Sequence, residues 1–148
     1  MVVNLIYASL TGNTETLSEL VVEKFREKDT DVELHFIEDM DDFSIVEESD
    51  AFIVASYTYD EGDIPSEMEE FFEELADMDL SGKIFGVIGT GDTIYEHFCS
   101  AVDQFDKRIK ASGANNPTQN LKVEFEVDTE EEEENLEKFV KDFIAALN

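Results

Sequence analysis

The strongest constraint on this chain is the order in which two hydrophobic periods alternate along it. VVNLIYA (Val2–Ala8), AFIVAS (Ala51–Ser56) and KIFGVIG (Lys83–Gly89) are short, nearly continuous apolar runs, as strands covered on both faces require. VELHFI (Val32–Ile37) and LKVEFEV (Leu121–Val127) alternate apolar with polar residues, so each has one wetter face and reads as an edge strand. Helical stripes fill the intervals: Leu17, Leu20, Val21 and Phe25; Met68, Phe71, Phe72 and Leu75; Phe98, Val102, Phe105 and Ile109. A last stripe, Leu136, Phe139, Val140, Phe143, Ile144 and Leu147, closes the chain. Strands joined by helical crossovers pair in parallel, and right-handed crossovers cover both faces of the sheet. With three central and two edge strands, the expected fold is a doubly wound α/β domain with five-stranded parallel sheet, order 2-1-3-4-5.

Boundary signals agree with this order. Ser66–Glu69 and Thr129–Glu132 fit the capping-box pattern, and Gly113 stands where the third stripe ends. The run Glu130–Glu134 is read as solvated surface matched to a helix N-terminus rather than as a metal site. A short helix is expected within Asp41–Glu48. No repeat, linker or low-complexity block divides the chain, so residues 1–148 are expected to form one domain.

Composition narrows the function. Thirty-eight acidic against ten basic residues give a formal charge of −28, which repels nucleic acid and anionic membranes and favours basic partners. The same acidity also serves solubility or a salty interior. Twelve Phe and four Tyr within 42% hydrophobic residues fit a packed globule rather than an acidic tail. The single cysteine, Cys99, allows no internal disulfide and reads as a buried small hydrophobe in a reducing compartment. No apolar run reaches membrane-spanning length and the opening strand lacks a basic flank, so a cytoplasmic location is expected. His35 and His97 are too few and too far apart to suggest a metal site.

In a 2-1-3-4-5 sheet the topological switch lies between the first and third strands, and ligands bind at the carboxyl ends beside it. SLTGNT (Ser9–Thr14) leaves the first strand and enters a helix. Free N–H groups at a helix start, with Gly12 permitting close backbone approach, cradle an anion, and Ser9, Thr11, Asn13 and Thr14 add side-chain donors. Capping alone needs one such residue, and this loop has four. It contains no G-x-x-x-x-G-K-[ST], no Cys and Arg pair for a thiolate phosphatase, no acidic cluster for a receiver-type Mg²⁺ site and no G-x-G-x-x-G. What remains is a passively held phosphate, one end of a larger ligand. The second loop, YTYDEGD (Tyr57–Asp63), and the third, TGDTIYEHFC (Thr90–Cys99), bring Tyr59 and Tyr95 beside it, enough to sandwich a flat ring.

These motifs, S-x-T-G-N-T after strand one, T-Y with acidic and glycine residues after strand three, and T-G-D-x-x-Y-x-x-F-C after strand four, occur in an order and spacing that resembles the short-chain flavodoxins over the whole chain. The resemblance implies a flavodoxin-like fold, one non-covalent FMN, and transfer of single electrons at low potential between redox proteins rather than enzymatic turnover. It places the FMN phosphate on Ser9, Leu10, Thr11, Gly12, Asn13 and Thr14, Leu10 acting through its backbone, and the ribityl chain near Thr58. Tyr59 and Tyr95 would cover the two ring faces, Tyr95 coplanar. Backbone groups of Thr90, Gly91, Asp92, His97, Phe98 and Cys99 would meet the ring edge, and Cys99 would be structural. The implied partners are basic reductases and ferredoxin-dependent enzymes in transient complexes with a monomer. A carboxylate about 12 Å from the ring contributes only ~0.3 kcal/mol in water-like surroundings, so the acidic surface lowers the potential collectively, by on the order of 100 mV. A small FMN-dependent reductase of the same fold and a dedicated electron donor to one enzyme are the alternatives, with a flavin-free acidic module as the bland third.

One position departs from the family pattern. Relatives often carry glycine after the second-loop aromatic, where the peptide turns its carbonyl toward flavin N5–H on one-electron reduction; this chain has Asp60. Left-handed backbone costs a residue with a Cβ on the order of 1 kcal/mol, and 1.4 kcal/mol corresponds to about 59 mV for one electron. Asp60→Gly is therefore expected to raise the first-electron potential by tens of millivolts, measured by redox titration; an unchanged potential would refute the assignment.

Overall fold

The computed structural model describes residues 2–59, 62–94 and 97–147. Five strands, β1 (Val2–Tyr7), β2 (Asp31–Phe36), β3 (Ala51–Tyr57), β4 (Ile84–Gly91) and β5 (Leu121–Glu124), form one sheet. Five helices alternate with them: α1 (Asn13–Arg26), α2 (Ser44–Glu48), α3 (Glu69–Leu75), α4 (Ser100–Ala111) and α5 (Glu130–Leu147). The sheet order is β2-β1-β3-β4-β5, all parallel, as the pattern of runs requires. Leu5 sits opposite Leu34 on one side and Ile53 on the other, which puts β1 and β3 side by side at the centre.

Strand alternation sends successive side chains to opposite faces. Ile6, Phe52, Val54, Phe85 and Val87 pack against Phe71, Leu75, Val102, Phe105 and Ile109 of α3 and α4, with Phe43 and Val46 around α2. Leu5, Ile53 and Ile88 pack on the other face against Leu17, Val21 and Phe25 of α1 and Leu136, Phe139, Val140 and Phe143 of α5. This double cover explains the apolar runs of β1, β3 and β4. A polar line crosses the sheet at its edge: His35 donates to Asn4 Oδ1 (2.9 Å), and Asn4 Nδ2 donates to Ser49 Oγ (2.8 Å).

Three local expectations are corrected. The alternation of Leu121–Val127 predicts a seven-residue strand, but β5 ends at Glu124. Phe125 turns to φ +58°, and its N–H reaches the Gly91 carbonyl (3.2 Å). Phe98 is not on the helix that its spacing suggests. Cys99 adopts φ +53° before α4 begins at Ser100, which separates Phe98 from the Val102–Ile109 stripe. Ser66 does not cap α3, because Ser66–Met68 forms a 3-10 turn and no side chain caps the helix entry.

Other boundaries follow the signals. The Thr129 hydroxyl accepts the Glu132 N–H (3.1 Å) and donates to its carboxylate (3.1 Å) at the α5 entry. Burial opposes charge on Glu132, yet the Asp128 and Glu124 N–H groups outweigh it and hold that carboxyl below its ordinary value. α2 falls inside Asp41–Glu48, its entry tied by Asp42, which accepts from the Ser44 N–H (3.0 Å) and hydroxyl (2.7 Å). Gly113 takes φ +105° just beyond α4.

The closest approach lies at Gly89, where a Cβ would stand 2.4 Å from Val102 Cγ2 and 2.5 Å from the Ser56 carbonyl oxygen. One of these neighbours is backbone of the adjoining central strand, so the clash has no cheap relief. Gly89→Ala is expected to lose roughly 2–3 kcal/mol, read as a lowered urea midpoint at constant m-value.

Candidate functional site

β1, β3 and β4 deliver their loops to the same edge of the sheet, and the loops enclose an open cleft of about 280 Å³. The first loop contributes Leu10, Thr11, Asn13 and Thr14 to its lining; the second, Thr58 and Tyr59; the third, Thr90, Gly91, Asp92, His97, Phe98 and Cys99. Chain segments more than thirty residues apart are thus brought together as the sequence suggests. Asp60 and Tyr95 lie outside the described residues. Ser9 and Gly12 belong to the first loop without lining the cleft, because both build its turn. Gly12 caps α1 at φ +93°, with nothing within 4 Å of where a Cβ would stand. The Ser9 hydroxyl accepts the Gly12 N–H at 3.1 Å and the Glu15 N–H at 3.4 Å.

Two hydroxyls join the loops directly. Thr14 and Thr90, both buried, share a hydrogen bond of 2.8 Å that fastens the first turn of α1 to the end of β4. Thr58 accepts the Ala101 N–H at 3.1 Å, so it caps α4 while lining the cleft. The third loop is braced from β5. The Glu124 carboxylate accepts from the Thr93 hydroxyl and from its N–H (2.8 Å), and these bonds, the hydroxyl first, hold its carboxyl below the usual range. Asp92 accepts the Ile94 N–H (3.0 Å), tightening the next turn.

Four Tyr and Phe side chains stand in the walls. Tyr57 and Phe125 join Tyr59 and Phe98, and neither is among the residues singled out from the sequence. Tyr57 ends β3 two positions before Tyr59, a strand spacing that was available as a signal. Its hydroxyl donates to Glu67 Oε1, and burial, reinforced by that carboxylate, pushes the phenol well above its ordinary pKa. Phe125 was hidden by the alternation that extends β5 on paper and assigns its ring to a sheet face. The turn at φ +58° presents it at the cleft instead, half exposed.

The electrostatics match an anion held by dipoles. Among the described lining residues there is no Lys or Arg, and the acidic member is Asp92. Fourteen-residue α1 points its N-terminus at the cleft, where its unpaired N–H groups carry partial positive charge. Hydroxyls of the first loop, together with the Tyr and Phe side chains of the lining, suit a phosphorylated, ring-bearing ligand, so the residues fit FMN. Cys99 is 1% exposed, and burial pushes its thiol up to about 12, so it stays protonated and packs as a small apolar group. Among the described residues no cluster of His, Cys, Asp and Glu could hold a metal ion, and no helix is long and apolar enough to cross a membrane.

Comparison with known proteins shows the family. The sequence matches the Flavodoxin family over residues 5–139. It is 37% identical over 130 residues to Probable flavodoxin 2 of Bacillus subtilis (strain 168), covering 88% of this chain and 86% of that one. It is 33% identical over 129 residues to the flavodoxin of Maridesulfovibrio salexigens, covering 86% of this chain and 88% of that one. Among solved structures, the Streptococcus pneumoniae TIGR4 flavodoxin superposes with a TM-score of 0.89 at 40% identity over 99% of each chain. A short-chain flavodoxin associated with a non-canonical PDU bacterial microcompartment gives 0.90 at 33% identity, over 100% of this chain and 99% of that one. With its switch-point cleft, cation-free hydroxyl loop and aromatic walls, this chain belongs to the flavodoxin family of FMN-binding electron-transfer proteins.

Proposed function

We propose that the chain binds FMN non-covalently in this cleft and passes single electrons between redox proteins, its 148 residues acting as one FMN-binding unit. The observation that carries this reading is the junction of a hydroxyl-rich helix start with an aromatic-walled cleft at the β1/β3 switch. FMN bound there supplies the one-electron chemistry; the chain binds, orients and shields it. Ser9, Thr11, Gly12, Asn13 and Thr14, with the Leu10 backbone, hold the phosphate, and Thr58 lies by the ribityl chain. Tyr59 and Tyr95 cover the ring faces. The backbone of Thr90, Gly91, Asp92, His97, Phe98 and Cys99 meets the ring edge, and Asp60, following Tyr59, is a further cofactor-binding residue. A phosphate neutralised by N–H and O–H dipoles needs no lysine, so the site adds no positive charge to the acidic face around it.

The surface around the cleft supports transient docking. Leu10 is 68%, Tyr59 53%, Ile94 78% and Phe125 50% exposed, so each cleft loop and the turn after β5 offer one apolar contact. Exposed carboxylates such as Asp63, Glu126 and Asp128 stand in the same loops. An apolar patch within an acidic field fits small, weak interfaces with basic reductases or ferredoxin-dependent enzymes, reached by steering. The proposed form is a cytoplasmic monomer, for which a lone buried cysteine is suited.

Titrating apoprotein with FMN is expected to quench the flavin's fluorescence at one equivalent, and riboflavin, lacking the phosphate, should bind more weakly by at least tenfold. Unquenched FMN overturns the reading. Removing rim charge with Asp63→Asn and Glu126→Gln should slow stopped-flow association with a basic redox protein at low ionic strength. The difference should vanish as salt shortens the Debye length to about 3 Å at 1 M; association indifferent to salt would remove steering from the mechanism.

A further inference from the structure

Thr58 and Gly62 are both held by the start of one helix. Thr58 accepts the Ala101 N–H at 3.1 Å. The Gly62 carbonyl accepts two donors from α4, Ser100 Oγ at 2.9 Å and Gln104 Nε2 at 2.7 Å. Ser100 and Gln104 are four positions apart and share one face of α4, so both reach the same oxygen and fill its two lone pairs. Inside this grip the turn closes on itself: the Tyr59 N–H donates to the Asp63 carbonyl and the Asp63 N–H to the Tyr59 carbonyl, each at 2.8 Å.

Gly62 fits because it is glycine. It sits at φ +129°, and a Cβ would stand 2.9 Å from Ser100 Oγ and 3.1 Å from His97 Cβ. His97 belongs to the third loop, and its carbonyl accepts the Ser100 N–H at 3.1 Å. The turn that ends the third loop is therefore the turn that holds the second. Neither Ser100 nor Gln104 lines the cleft, so their influence on a ligand there passes through the loop.

We propose that Ser100 and Gln104 are positioning residues for the cofactor site, clamping the Tyr59 loop against the third loop so that both move as one body. This rests on the FMN reading above. Free of the clamp, the Tyr59 segment spends less time in the binding-competent position, and the apparent dissociation constant rises by the inverse of that fraction. Because the clamp acts on the ring-side loops and not on the phosphate loop, FMN and riboflavin should lose affinity by the same factor.

The test uses the full-length apoprotein. Gln104→Glu keeps the side chain's shape but replaces the donor with an acceptor facing the Gly62 oxygen, and Ser100→Ala deletes the other donor. Each is expected to weaken FMN and riboflavin alike, by about three- to tenfold, and to lower the apoprotein's urea midpoint only by the small step that one lost hydrogen bond gives. Ser100→Thr, which keeps the hydroxyl, should stay within twofold of wild type. The spacing between the first- and second-electron potentials should also change in Gln104→Glu, because the loop must adjust against the cofactor's charge state. Wild-type quenching with both variants inside twofold for both flavins overturns the clamp, as does a loss confined to FMN. Absence of quenching in the wild type would instead fall on the FMN reading itself.

Discussion

Parallel pairing of β1 with β3 is the interaction on which the rest of the molecule depends. From β1 the chain crosses through α1 to β2 on one side of the sheet. From β3 it crosses through α3 to β4 on the other. The two connections diverge above the pair, and the carboxyl ends of these strands are left without a covering crossover. A crevice follows from the topology before any loop residue is chosen. Loop chemistry then decides what enters it, here hydroxyls and N–H groups beside aromatic rings.

The loops around that crevice are not independent attachments. Thr14 and Thr90 fasten the first to the third, Thr58 and Gly62 fasten the second to α4, and Glu124 fastens the third to β5. Each tie uses a side-chain oxygen or a single backbone carbonyl, and most span more than thirty residues of sequence. Hydrogen bonds of this kind contribute individually only about 0.5–1.5 kcal/mol, but between them they hold several loops to one geometry.

On the proposed reading, acidity and the absence of lysine in the first loop have one explanation. A chain at −28 that used a cation to hold phosphate there would place positive charge inside the acidic face proposed to meet basic partners. Dipoles from α1 avoid that conflict. The long acidic opening of α5 follows the same logic on the stability side, where Glu132 satisfies N–H groups of Asp128 and Glu124 and its neighbours lie at the positive end of the helix.

The period of apolar residues was sufficient for strand number, order and sheet direction, because burial on one or two faces writes itself directly into sequence alternation. It also identified the loops that meet, since the crossovers force their placement. Local backbone reversals were illegible. Phe125 and Cys99 take left-handed conformations that neither residue type prefers, and the cost is met by contacts made only after folding, such as the Phe125 N–H on the Gly91 carbonyl. The same holds for Phe125 as a cleft wall, and for Ser100 and Gln104 meeting at Gly62. Periodicity by itself determined the sheet and the edge where a ligand binds; tertiary structure alone decided which hydroxyls remain free there and which bind the loops together. The physical reason is that hydrophobic patterning is a local, repeated signal, whereas a hydrogen bond across seventy-six residues leaves no trace in the spacing of either partner.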